Sequence, residues 1–105
     1  MLSMAGRYRR AKERAAKRNL EFALTREEFE AITIRPCHYC GSTTRPSRGS
    51  GIDRVDNLKG YTVQNSVPAC TLCNTVKGSV FTEWQMLQIG RLIATFTLEP
   101  MWRNA

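Results

Sequence analysis

The sequence predicts a small α+β domain that a bound metal ion stabilises, with one helix on its N-terminal side and one on its C-terminal side. Three observations support this fold class: the chain has 105 residues, it contains two Cys-x-x-Cys pairs, and two strand-like segments lie between the pairs. A chain of about 100 residues closes only a modest hydrophobic core, so a metal or disulfide cross-link is physically plausible.

Positive charge is concentrated near the N-terminus. Seven of the 16 basic residues lie within the first 20 positions, where there is a single acidic residue. Good helix formers dominate this segment, which predicts a helix. Four of its basic side chains are spaced three or four residues apart and would lie on one face of that helix: Arg7, Arg10, Arg14 and Lys17. A cationic stripe of this kind binds a polyanion by releasing its counterions, although a solvated helix face has the same pattern.

The domain boundaries follow from this charge distribution. We predict a basic helical arm over residues 1–19, which contacts nucleic acid through the stripe and Arg18, and a single domain over residues 20–105. No apolar run of about 18 residues and no apolar secretory core are present, so we expect neither a membrane span nor a signal peptide. We expect the protein to be located in the cytoplasm, which would be the cytoplasm of the host cell if a phage encodes the protein.

Two capping boxes predict helix starts. Thr25 with Glu28 begins a short helix over "REEFEAIT", with Phe29 and Ile32 facing inward, and the Arg-Pro step after it ends the helix. A second box at Thr82 begins a helix over about residues 82–97. Helical spacing predicts its core face: Met86, Ile89, Ile93 and Phe96.

The segment between the cysteine pairs predicts a β-hairpin. "IDRVD" and "YTVQN" read as its two strands, and the turn-forming residues "NLKG" lie between them. Polar side chains that project from this hairpin would lie between two metal-holding turns, which makes them candidates for a functional site.

The four cysteines are the expected zinc ligands. "CHYC" contributes Cys37 and Cys40, and "CTLC" contributes Cys70 and Cys73. Two Cys-x-x-Cys turns give four thiolates for one tetrahedral zinc ion, which leaves no open position for water and indicates a structural site. In a reducing compartment this pattern favours metal over disulfides, so a small redox or disulfide protein is the least favoured interpretation.

His38 lies inside the first cysteine pair. It is a candidate fifth ligand or general base, but with four thiolates already present we favour a solvent-facing turn residue.

Three segments together resemble the HNH endonucleases, particularly small phage-type members with a four-cysteine zinc site: "CHYCG", "GIDRVDNLKGYTVQN" and "VPACTLCNTVKG". The resemblance covers about residues 35–78. It implies a ββα-metal fold, treble-clef-like, in which two strands and a helix surround one divalent cation, Mg²⁺ or Mn²⁺, and it implies cleavage of DNA phosphodiester bonds.

The resemblance also implies roles for individual residues. Asp53 matches a metal-binding aspartate, Asn65 matches an asparagine that orients the hairpin loop, and Asn74 matches a metal ligand on the helix. Lys77 matches a frequent lysine of that helix and is expected near phosphate.

Arg54 departs from the family pattern, because this position usually holds the histidine that deprotonates the attacking water. Arginine cannot do so, since its guanidinium has no free acceptor and a pKa above about 12. Three outcomes remain open: another group takes the proton, metal-bound water suffices while Arg54 holds a phosphate oxygen, or the site is inactive.

Two residues are candidates for a substitute base. Asp56 would share a strand face with Arg54, although an ion pair between them or a turn cap explains it more simply. Tyr61 is a weaker candidate, because an ordinary phenol has a pKa of about 10. The sequence therefore favours a metal-dependent DNA endonuclease or nickase, and the alternative is a catalytically inactive, zinc-stabilised nucleic-acid-binding module.

Overall fold

The computed structural model describes residues 3–43 and 51–98, with side chains up to residue 96. These ranges contain four helices, two short strands and one 3-10 turn, Val63–Asn65. The helices and strands follow the chain in this order: α1 (Met4–Lys17), α2 (Arg26–Thr33), β1 (Ile52–Arg54), β2 (Ser66–Pro68), α3 (Thr71–Lys77) and α4 (Glu83–Leu98). The predicted α+β class is confirmed, since helices surround a small two-stranded sheet.

The hairpin forms with a different second strand from the one predicted. β1 pairs antiparallel with β2, in the register Ile52↔Pro68, Asp53↔Val67 and Arg54↔Ser66. The expected strand over "YTVQN" is wrong, because Thr62 caps a 3-10 turn there and its Oγ1 accepts a hydrogen bond from the Asn65 N–H at 3.2 Å. Tyr61 instead forms an isolated bridge with Phe22, and pairing with β1 begins at Ser66, after the turn.

α2 begins at the predicted capping box. The Glu28 N–H donates to Thr25 Oγ1 at 3.1 Å, and the Thr25 N–H donates to Glu28 Oε1 at 2.8 Å. Phe29 and Ile32 are buried as predicted. The predicted start of this helix and its predicted buried face are therefore both confirmed.

The basic helix α1 packs onto the body of the protein. Its buried side chains Ala11 and Ala15 are one helical turn apart, and Ala11 joins a core cluster with residues of α2 and β1. Tyr8 packs edge-on against Phe22 and Phe29, and its hydroxyl donates to the Leu24 carbonyl at 2.8 Å. The residues expected to form an arm thus carry apolar contacts of the domain on one face and basic side chains on the others.

α4 covers a second core cluster, which contains the cysteines. Its predicted capping box is present: the Thr82 N–H donates to Gln85 Oε1 at 3.0 Å, and the Gln85 N–H donates to Thr82 Oγ1 at 3.2 Å. Met86 is fully buried, and Ile89 and Ile93 pack against the cluster. The other predicted core residue of this helix, Phe96, is 61% exposed, because the cluster that α4 covers ends at Ile93.

None of the helices in the described ranges combines the length and the apolar character that a bilayer crossing requires.

Gly90 allows α4 to lie directly against the first cysteine turn. A Cβ atom at this position would lie 2.1 Å from the Tyr39 carbonyl oxygen, which is backbone and cannot rotate away. We expect Gly90→Ala to lower the free energy of unfolding by about 2 kcal/mol, measured by urea denaturation, because the helix must shift. The matched control Gln88→Ala, on the exposed face, should change it by less than about 0.5 kcal/mol. Equal stabilities for the two variants would contradict the close approach.

Candidate metal centre and adjoining cleft

The four cysteines form one cluster that fits a zinc site. Their sulfur atoms all lie within 4.8 Å of one another, none is in a disulfide, and Cys40 Sγ is 3.8 Å from Cys70 Sγ. A tetrahedral zinc ion with bonds of about 2.3 Å to sulfur separates its ligands by about 3.8 Å. The cysteines are therefore positioned to bind a metal ion, and all four ligand positions are supplied by the protein.

Backbone hydrogen bonds connect this cluster to the elements around it. The His38 N–H donates to the Pro68 carbonyl at 2.9 Å, which attaches the first cysteine turn to β2. The Cys70 N–H donates to Cys37 Sγ at 3.4 Å, and Cys70 Sγ caps α3 by accepting from the Cys73 N–H at 3.4 Å. The cluster thus joins the first turn, the end of β2 and the start of α3.

The thiols strongly influence one another's ionisation. The hydrogen bond shared with Cys73 lowers the pKa of Cys37 to about 4, whereas burial raises the pKa of Cys70 to about 11. The pKa of Cys73 is also raised, first by its hydrogen bond to Cys37 and then by burial. Several thiolates in so small a buried volume repel one another, so full deprotonation requires a cation among them.

His38 lies at the surface rather than among the sulfur atoms. Its Nε2 is 2.9 Å from Glu83 Oε2, and the metal-capable cluster found within the described residues consists of the cysteines alone. The turn-residue interpretation agrees with this placement.

A cleft of about 520 Å³ opens between α1, the hairpin and α3. One wall carries four of the predicted site residues and candidates: Asp53, Arg54, Tyr61 and Asn74. The wall formed by the C-terminal end of α1 carries three basic residues: Arg14, Lys17 and the C-cap residue Arg18. Of the other two predicted basic contacts on α1, Arg10 is exposed outside this cleft and Arg7 lines a separate polar pocket beside Cys37 and Cys70.

Asp53 is a buried carboxylate with two partners among the described residues, Tyr39 and Lys77. The residue is only 7% exposed. Its Oδ2 accepts a hydrogen bond from the Tyr39 hydroxyl at 2.5 Å and lies 3.2 Å from Lys77 Nζ. Its Oδ1 lies 3.5 Å from the same lysine nitrogen. Burial and the hydrogen bond to Asp53 raise the pKa of Tyr39, so its hydroxyl remains a donor. The sequence did not indicate Tyr39 as a site residue, because it is 14 positions from Asp53 and only folding places the two side chains in contact.

Lys77 is fully buried, which differs from its expected place near phosphate. Its Nζ donates to the Arg54 carbonyl at 3.0 Å and to Asn57 Oδ1 at 2.9 Å, in addition to its contact with Asp53. The cause is helical geometry, since Lys77 lies one turn after Cys73 on the buried face of α3. Its ammonium group therefore acts within the protein.

Arg54 is held in place by the loop that follows it. Its Nη1 donates to the carbonyls of Asn57 at 2.8 Å and Lys59 at 2.9 Å, and its guanidinium lies 5.7 Å from the centre of the Tyr61 ring. The residue is only 8% exposed yet lines the cleft. It is a fixed positive charge at the cleft wall.

Asp56 serves the turn. Its Oδ1 accepts from the Leu58 N–H at 2.9 Å, and among the described residues no ion pair joins it to Arg54. The expectation of a shared strand face is wrong, because β1 already ends at Arg54. The turn-cap alternative accounts for its contacts.

Asn65 fixes the same loop from the other side. Its Oδ1 accepts from the Asp56 N–H at 2.8 Å, while its Nδ2 donates to the carbonyls of Asp56 at 3.1 Å and Gly60 at 2.8 Å. These contacts hold the loop that follows β1, and the catalytic role that the resemblance implied for Asn65 stays a prediction.

Asn74 connects α3 to β1 at the cleft. Its Nδ2 donates to the Ile52 carbonyl at 3.3 Å, so Oδ1 lies on the opposite side of the amide group. Asn74 and Asp53 line the same cleft, one from the helix and one from the strand. The fold therefore places both oxygen-bearing side chains at one cleft.

Comparison with known proteins gives a structural and a sequence match. The rare-cutting HNH restriction endonuclease PacI has a similar structure, with a TM-score of 0.73 and 26% sequence identity over 90% of this chain and 79% of the PacI chain. The uncharacterized protein R423 of Acanthamoeba polyphaga mimivirus is 39% identical over 77 residues, which is 73% of this chain. The matched region spans only 14% of the length of R423. No protein-family model matches the sequence.

The cluster geometry predicts how metal content responds to substitution. Cys73→Ser should lose the bound ion and cooperative folding, because it removes a buried ligand, whereas His38→Ala in the neighbouring turn should retain both. Elemental analysis of the purified proteins, combined with thermal unfolding, measures the difference. Metal loss from the His38 variant, or full metal content in the Cys73 variant, would contradict the assignment of ligands.

Proposed function

We propose that the protein is a metal-dependent HNH-type endonuclease or nickase that hydrolyses phosphodiester bonds of DNA. The observation that carries this proposal is the cleft itself: Asp53 and Asn74 line one side, a basic wall lines the other, and the fold is similar to that of an HNH endonuclease. Positive charge facing oxygen ligands is the arrangement that a phosphodiester and a divalent cation require.

Two metal ions have separate roles in this proposal. The cysteine cluster holds zinc as a structural ion, because it presents four sulfur ligands and no open position. Asp53 and Asn74 hold Mg²⁺ or Mn²⁺, which prefer oxygen ligands. When bound, such an ion supplies Lewis-acid stabilisation of charge on the phosphate and leaving oxygen.

Arg54 replaces the expected histidine as a binding group for phosphate. Its guanidinium cannot accept a proton, but it is fixed by two carbonyls at the cleft wall and bears a permanent charge. A preorganised cation in this position stabilises negative charge that develops during the reaction.

A proton acceptor must then come from elsewhere in the cleft. Tyr61 is a better candidate than Asp56, because it lines the cleft beside Arg54, whereas the Asp56 carboxylate caps the turn. If Asp53 and Asn74 held a divalent cation, that cation would also supply activation of the attacking water, and no side chain would then need to accept the proton.

A noncatalytic nucleic-acid-binding module is the second candidate. The substitution of arginine for a general base favours it, and so does the basic wall, which needs no catalysis to bind DNA. The two candidates differ in whether purified protein cuts DNA at all.

The proposed metal ligands are tested by plasmid nicking. Asp53→Ala and Asn74→Ala should each reduce nicking of supercoiled plasmid in Mg²⁺ or Mn²⁺ by on the order of 100-fold while DNA binding persists. Asp56→Asn is the matched control and should keep activity, because its carboxylate lies in the turn. If the parent protein cuts no DNA over a range of pH and metals, the binding module is the better description.

The basic wall is tested by the salt dependence of DNA affinity. Arg14→Ala with Lys17→Ala should weaken binding and reduce the slope of log K against log salt by about 1.8, since each phosphate contact contributes about 0.9. The control Arg9→Ala with Lys12→Ala removes the same charge from exposed positions of α1 outside the cleft. Equal effects of the two double variants would show that the whole helix, rather than the cleft wall, binds DNA.

A further inference from the structure

We propose that the cleft captures its divalent cation together with a DNA phosphate, and that the protein alone binds this cation weakly. The proposal rests on the function proposed above and concerns the order in which the cation and DNA bind. Its basis is the balance of charge around Asp53.

The charge of Asp53 is already neutralised within the protein. Lys77 Nζ lies 3.2 Å from Oδ2 and 3.5 Å from Oδ1, and both side chains are almost completely buried. The Tyr39 hydroxyl also donates to Oδ2. A carboxylate with a buried ammonium partner attracts an incoming cation less than a solvent-exposed, unpaired carboxylate does.

The rest of the cleft adds positive charge. Among the described residues that line it, one is acidic, Asp53, and four are basic: Arg14, Lys17, Arg18 and Arg54. Asn74 contributes a neutral oxygen. A free divalent cation thus enters a site whose charge opposes it, with one carboxylate to offset the repulsion.

A DNA phosphate reverses this balance. It offers negative oxygen ligands to the cation and satisfies the basic wall at the same time. Within the described residues, the contact that Oδ1 of Asp53 makes is the longer one to Lys77, at 3.5 Å, so Oδ1 is the atom that we assign to coordination. In this scheme Tyr39 and Lys77 are positioning residues: they hold Oδ2 and orient Oδ1.

Thermodynamic linkage makes the proposal measurable in the unmodified protein. If DNA strengthens cation binding by a given factor, the cation must strengthen DNA binding by the same factor. We expect a factor on the order of tenfold or more, within the range usual for coupled sites.

The experiment titrates Mn²⁺ into the full chain with its cysteine site loaded, following free Mn²⁺ by electron paramagnetic resonance. One titration contains protein alone, a second adds a short mixed-sequence DNA duplex, and a third contains the duplex alone to correct for its own Mn²⁺ binding. Asn74→Ala with the duplex is the control for site specificity and should lose the DNA-dependent Mn²⁺ binding.

The outcomes separate this inference from the proposed function. Mn²⁺ binding that appears only with DNA supports the inference, whether or not the plasmid is cut. Equal affinity with and without DNA overturns it, while nicking that depends on Asp53 and Asn74 would leave the proposed function intact. Absence of Mn²⁺ binding under both conditions overturns the inference and the proposed cation site together.

Lys77→Met provides a second test of the cause. Removal of the ammonium leaves Asp53 without its buried partner, so Mn²⁺ should now bind the protein without DNA and raise its melting temperature. The wild-type titrations decide the inference if this variant fails to fold. A folded variant with unchanged Mn²⁺ affinity would show that Lys77 does not set the charge balance.

Discussion

The constraint on which this structure depends is the convergence of four cysteine sulfurs on one small volume. They join the first cysteine turn, the end of β2 and the start of α3. The core cluster around them includes Tyr39, Ala69 and Met86, so apolar packing and metal ligation reinforce one another. In a chain of 105 residues, the free energy of metal binding becomes folding free energy.

The same constraint determines the position of the cleft residues. Tyr39 lies directly before Cys40 and donates to Asp53, and Asn74 lies directly after Cys73 and donates to the β1 backbone. Lys77 follows one helical turn later and reaches Asp53 from the buried side. The metal-holding turns therefore also orient the groups that face the cleft, so loss of the cluster would disturb both sites.

Local sequence signals predicted the elements that local interactions determine. The capping boxes at Thr25 and Thr82 form as expected, and the two Cys-x-x-Cys pairs meet. Their success has a physical cause, since a capping box or a metal-holding turn is specified by residues three or four positions apart. Asn74 directly follows the second cysteine pair, whereas Asp53 reaches the same cleft through the pairing of β1 with β2, which leads into that pair.

Long-range packing decided what the sequence left open. The burial of Lys77 depends on acceptors 20 or more positions away in the chain, at Arg54 and Asn57. The 3-10 turn at Val63–Asn65 has a local cause, the cap at Thr62, which the strand pattern of the sequence did not indicate. The pattern of basic residues in α1 did not predict that Ala11 and Ala15, on another face of the helix, are buried in the core. Phe96 fits the helical period of α4, but the cluster beneath that helix ends before it.

Amide hydrogen exchange before and after removal of the metal with a strong chelator tests the central claim most directly. If the cysteine cluster holds the hairpin against α3, the amides of Ile52–Arg54 and Thr71–Lys77 should lose protection together when the ion is removed. Persistent protection of both segments in the metal-free protein would contradict the claim and would assign the architecture to apolar packing alone.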